Sequence, residues 1–216
     1  MPTSLFRSAF WCLFFLGILV GIARLTCLRW WQIPEDDPTL TTSLAPSLQA
    51  GDWVLLWRLT PGGFGDLVLC PDPGEAGQIV IGRIAAEGGD ELTVDEDGGL
   101  KVNALRAVSE TTCKRSTIEV SHPRSGDPVT LRCDIEVLGG VHHKRALRPS
   151  GGLKPSPVNV AVKPGQLYLV SDNRYYPFDS RDYGSVPQDS CSETVVFRLV
   201  SRLGFGDVDS RLTRIQ

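Results

Sequence analysis

From Ala9 to Ala23 the chain carries no charged residue, and the apolar stretch continues to Leu28 if Arg24 extends its guanidinium to lipid headgroups. That length nearly reaches the roughly 20 residues a spanning helix needs, so the pattern predicts an N-terminal membrane anchor. Trp30 and Trp31 then fall where an interfacial aromatic belt is expected. Arg7 precedes the span while Arg24 and Arg29 follow it, so loop charge leaves the orientation open. A cleaved signal peptide ending near Gly21 and Ala23, or a buried core helix, are the weaker alternatives.

Beyond the span the period changes. Gln32–Thr39 is polar and contains Pro34 and Pro38, which predicts an extended linker. Short apolar runs at Asp52–Trp57, Asp66–Leu69 and Gln78–Ala85 follow, each opened by a glycine-containing turn, and read as strands of an antiparallel meander. Leu92–Val94 and Leu100–Val102 flank Asp97-Gly98-Gly99 as a hairpin does. Thr117–Val120, Val129–Arg132 and Ile135–Leu138 read as further strands, and His142–Pro157 as a basic, mobile loop. Gln166–Val170 and Thr194–Val200 return as core strands around an ordered polar loop, Ser171–Pro187.

The predicted fold is therefore mainly β: an antiparallel β-sheet core with an inserted β-subdomain, preceded by one N-terminal transmembrane helix. The expected divisions are 1–31 for the anchor, 32–90 with 164–216 for the core, and 91–163 for the insert and its loop. The tail from Gly204 carries Arg211 and Arg214, facing either lipid headgroups or solvent.

Composition supports this class: 22 Gly and 15 Pro suit a turn-rich β protein. A net charge of −3 without a long charge block gives no general attraction to nucleic acid. Four cysteines, Cys70, Cys113, Cys133 and Cys191, lie in the polar body without zinc-site spacing. A bridge between Cys113 and Cys133 closes a short loop, would add about 3 kcal/mol if unstrained, and implies an oxidising compartment. Unpaired thiols in a reducing compartment are the alternative. No metal-ligand cluster, phosphate-cradling glycine loop or dinucleotide motif is present, so no cofactor is expected.

Ser43 lies in Thr41-Thr42-Ser43-Leu44-Ala45-Pro46-Ser47-Leu48, between the anchor and the first core strand. A serine acts as a nucleophile only with a base within hydrogen-bond reach. Taken with the anchor, Gly51–Leu56, Phe64–Leu69, Gly82–Asp90 and Ser171–Pro187, this block resembles the type I signal peptidases, membrane-bound Ser/Lys endopeptidases that cleave signal peptides from exported preproteins. The resemblance covers nearly the whole chain. It implies that Ser43 is the nucleophile, that the Ser43 N–H and the Thr41 hydroxyl hold the oxyanion, and that Arg83, Asp172, Asp179 and Arg181 give structural support.

Two departures concern the base. The resemblance places Gly82 where the family has its lysine, and Pro177 where a late serine orients that lysine; Ser171 replaces an opening glycine. Glycine supplies no base. The lysines at 101, 114, 144, 154 and 163 and the histidines at 122, 142 and 143 all fall in the expected insert, where His142, His143 or Lys144 is the candidate substitute. Glu87 and Asp90 are poor bases unless their pKa is raised. Two functions follow: a signal-peptidase-like membrane serine endopeptidase with an unidentified base, or a non-catalytic relative that binds signal peptides or assists an active peptidase. Both imply preprotein signal peptides and membrane lipid as partners, with secretion machinery as a further one. Both also imply a single-pass cell-membrane location with the main domain on the extracytoplasmic side.

Overall fold

The structure, a computed structural model, describes residues 3–148 and 157–215. Half of the expected basic loop, 149–156 with Lys154, lies outside the described residues. Helix α1 (Thr3–Thr26) contains an 18-residue window, Arg7–Arg24, of mean hydropathy 1.5, none of it buried against the protein. It is long and apolar enough to cross a bilayer. The chain then enters strand β1 (Leu28–Gln32) directly, so Trp30 and Trp31 belong to a sheet edge. Arg24 folds its guanidinium over the Trp30 ring, 4.5 Å from its centroid.

Helix α2 (Pro38–Ser43) occupies what the sequence reading took as linker and loop. Asp37 caps it by accepting a 2.9 Å bond from the Leu40 N–H, and Pro38 stands in the first turn, where its missing N–H costs nothing. Strands β2 (Trp53–Trp57), β3 (Leu67–Pro71) and β4 (Ile79–Glu87) follow. Next come β5 (Glu91–Val94), β6 (Leu100–Val102), β7 (Leu105–Arg106), β8 (Val108–Ser121), β9 (Pro128–Leu138), β10 (Val141–Leu147) and β11 (Val158–Ala161). The chain closes with β12 (Gln166–Val170), α3 (Ser180–Tyr183), β13 (Val186–Pro187), β14 (Glu193–Val200) and β15 (Thr213–Arg214).

The molecule is mainly β and antiparallel. One sheet runs β1-β2-β14-β3-β4-β12-β13, with β15 added beside β14. Between β4 and β12 the chain builds two further sheets, β10-β9-β8 and β11-β5-β6-β7. Leu40, Leu44 and Leu48, on and just after α2, pack on Val54, Leu56, Leu67 and Ile81, which anchors the Ser43 segment to the main sheet. Leu92, Val94 and Leu100 of the smaller sheet pack on Tyr168 and Val170 of β12.

Strand β10 is the main departure from the expected loop. Its charged residues are buried on one face, so it lacks the apolar alternation that marks a strand: His143 and Arg145 both approach Glu136 on β9. Two disulfides lock the polar body, Cys113–Cys133 between β8 and β9 and Cys70–Cys191 between β3 and the approach to β14. Cys12 and Cys27 are free.

Candidate functional site

Ser43 is the last residue of α2 and is fully buried. Its position is fixed from two directions. Leu40 and Leu44 hold the helix in the core, and the Asn173 N–H donates to the Ser43 carbonyl at 2.9 Å while Asn173 Nδ2 donates to the Thr42 carbonyl at 2.9 Å. The Ala45–Pro46 peptide that follows is cis. The Ser43 hydroxyl donates to the Leu40 carbonyl at 2.7 Å, one turn back in its own helix. Thr41 behaves similarly, donating its hydroxyl to the Asp37 carbonyl at 2.9 Å. Short hydroxyl side chains compete for backbone carbonyls in this way whenever geometry allows.

Gly82 sits in the middle of β4, between Val68 of β3 and Leu169–Val170 at the end of β12, just past a register shift. A Cβ built there would stand 2.8 Å from Leu169 Cβ, closer than real carbon atoms approach. The absent side chain is thus matched by a neighbour that fills its space. The next residue, Arg83, is also buried; its Nε and Nη2 each donate to Asp172 at 2.8 Å, and its Nη1 donates to the Gly65 carbonyl at 2.8 Å. Burial raises the Asp172 pKa, but the Arg83 charge and hydrogen bonds outweigh it and hold the carboxyl below its usual range.

Asp179 organises the other end of the polar loop. It accepts from the Ser171 N–H at 2.8 Å and from Arg181 Nε and Nη2 at 2.8 and 2.6 Å, and it caps α3 in a reciprocal capping box with Asp182. Burial pushes its pKa up and the Arg181 contacts pull it down further, leaving it ionised. Ser180 accepts from the Leu169 N–H at 2.9 Å, tying this loop to the strand that closes the Gly82 position. Pro177 lies beside Tyr176, whose ring meets His122 edge-on at 5.0 Å.

The structure thus brings Ser43, Arg83, Asp172 and Asp179 into one connected region. It does not bring a candidate base to the Ser43 hydroxyl: among the described residues its one hydrogen bond is to Leu40. His142 meets Glu110 at 3.0 Å on the surface. His143 is buried 3.2 Å from Glu136; burial, then the Arg83 charge, push its pKa down and keep it neutral. The Lys144 carbonyl lies 3.5 Å from the Ser47 hydroxyl, which donates to it. Asp90 accepts from the Glu87 N–H and from Asn103.

Sequence reasoning missed the buried centre around Glu136. Arg145 and Arg174 both donate to it, at the point where the insert meets the site. The Ala146 N–H donates to the Asp172 carbonyl at 2.8 Å and the Arg174 N–H to the Ala146 carbonyl at 2.9 Å, so β10 is stitched to the Asp172–Arg174 segment. Alternation of His143 and Arg145 opposite an acidic strand was the available signal.

An apolar N-terminal helix long enough to cross a bilayer thus leads into a mainly antiparallel β protein in which a serine turn is bonded to an Asp-Asn-Arg segment. A family model described as signal peptidase, peptidase S26, matches residues 7–200, and the chain belongs to that family. The family's substrates are preproteins that bear signal peptides. No curated protein matches the chain in a sequence search.

Proposed function

We propose that this chain is a membrane-held member of the signal peptidase family that binds preprotein signal peptides without cleaving them, alone or beside an active peptidase. The observation that carries this reading is the closed Gly82 position: it has no side chain and no room for one, while the Ser43 hydroxyl is turned to Leu40. A serine alcohol without a base within about 3 Å is a weak nucleophile. Two disulfides in the polar body support placing that body in an oxidising, extracytoplasmic compartment.

The second reading is an active endopeptidase with Ser43 as nucleophile. The Arg83–Asp172 and Asp179–Arg181 pairs favour it, since they keep the scaffold of a working site in place. Incubation of the purified full chain in lipid with a labelled preprotein separates the two. Binding without product, equal in wild type and Ser43→Ala, is the expected result. A product released by wild type and absent with Ser43→Ala overturns the proposal in favour of the enzyme.

A further inference from the structure

At Ser47, four residues after Ser43, three cations from three strands converge on a cavity of about 220 Å³: Lys144 of β10, Arg198 of β14 and Arg214 of β15. Arg198 is nine-tenths buried and firmly placed. Its Nε donates to the Ser210 carbonyl at 2.8 Å and to Thr213 Oγ1 at 3.2 Å, and its Nη1 faces Asp52 at 3.2 Å and the Ser47 carbonyl at 3.3 Å. Its Nη2 has no hydrogen-bond partner among the described residues.

Neither Lys144 nor Arg214 has a carboxylate within ion-pair distance among the described residues. The acid lining the cavity, Asp209, instead lies 3.7 Å from Lys114. Converging like charges repel unless a counter-charge joins them. Burial, and then the Arg198 charge, lower the Lys144 pKa, the sign of a cation left short of a partner.

We infer that this cavity is an anion site for a phosphate-class oxyanion, either free or as the headgroup of a lipid. A fixed guanidinium donor with a mobile ammonium opposite is a common phosphate-binding combination, and a tetrahedral anion presents oxygens to cations arriving from three directions. At about 30 Å³ per water, the volume leaves room for the anion with bridging waters. The loop that supplies Asp209 also exposes Leu203, Phe205, Val208 and Leu212, side chains of the kind that lie at a bilayer interface, which favours the lipid source.

The test uses the full chain in dodecyl maltoside micelles, which carry no phosphate, following amide shifts of Thr213 and Lys144 during titration with sodium phosphate against sodium chloride at equal ionic strength. Saturable shifts with phosphate alone are expected, weakened at least tenfold in Lys144→Ala and in Arg214→Ala and unchanged in Arg115→Ala, an exposed arginine on β8. Repeating the titration with phosphatidylglycerol added to the micelles separates the sources. Loss of the phosphate response there assigns the headgroup, and an unchanged response assigns the free anion. Identical behaviour of phosphate and chloride together with no effect of phosphatidylglycerol overturns the site, as does equal weakening by Arg115→Ala.

Discussion

Arg83 and Asp172 face each other through two parallel hydrogen bonds of 2.8 Å, with the arginine side chain 1% and the aspartate 0% exposed. Removing one partner strands a buried charge, so Asp172→Ala should cost about 3–5 kcal/mol in chemical denaturation. Replacing both, as Arg83→Met with Asp172→Leu, should recover much of that loss. A double variant no better than the single one would show that the pair does more than neutralise itself.

Acid should loosen the junction between insert and site. Burial raises the Glu136 pKa, but Arg174, the His143 hydrogen bond and Arg145 together outweigh it and lower it from 4.5 to about 2. A carboxyl with a depressed folded pKa contributes stability that is present above about pH 4.5 and lost as pH falls towards 2, on the order of 3 kcal/mol in all. His143 acts in the same direction: its folded pKa lies below 6.5, so its share fades as pH drops through that value. Denaturation midpoints between pH 7 and pH 3 should fall for wild type and fall less for Glu136→Gln, which starts lower.

The two disulfides should differ in what they hold. Cys70–Cys191 spans a separation of 121 residues and ties β3 to the start of β14, whereas Cys113–Cys133 spans 20 within one hairpin. Replacing the first pair by serine should lower global stability by about 5 kcal/mol, and replacing the second by about 3 kcal/mol. Hydrogen exchange should show the second loss concentrated in β8 and β9. A uniform loss from the second pair would contradict this.

Restoring a lysine should fail. Because Leu169 Cβ fills the space, Gly82→Ala should already cost about 1–3 kcal/mol through overpacking, and Gly82→Lys should cost more without creating peptidase activity. Combining Gly82→Lys with Leu169→Ala tests whether room alone was lacking. Cleavage of a preprotein by that double variant would show that the remaining scaffold is still competent.

Much of the core was legible because its strands obey simple rules. Val54, Leu56, Leu67 and Ile81 lie in short apolar runs between glycine turns, and Gln166–Val170 is a strand with the bounds its composition suggests. What was hidden is what polar residues do when buried together. Strand β10 reads as a basic loop because the partner that neutralises His143 and Arg145, Glu136, comes from a neighbouring strand. Helix α2 is short, and its signals, Asp37 and Pro38, also mark a linker. Strand β8 is largely polar and exposed, so no apolar period announces its full length. The Cys70–Cys191 pairing depends on β3 and β14 being neighbours, a fact of topology that spacing does not encode.

Strand β1 begins two residues after α1 ends, without a flexible connector between them. The five residues of β1 then span about 16 Å at the usual rise of a strand, and Ser43 follows from the far end of that strand. If α1 spans the bilayer, as the proposed function requires, β1 acts as a ruler between the bilayer and the serine turn. Under that reading a bound signal peptide would reach the turn at one depth, and the length of its own apolar stretch would become a criterion for acceptance, independent of the residues around Ser43.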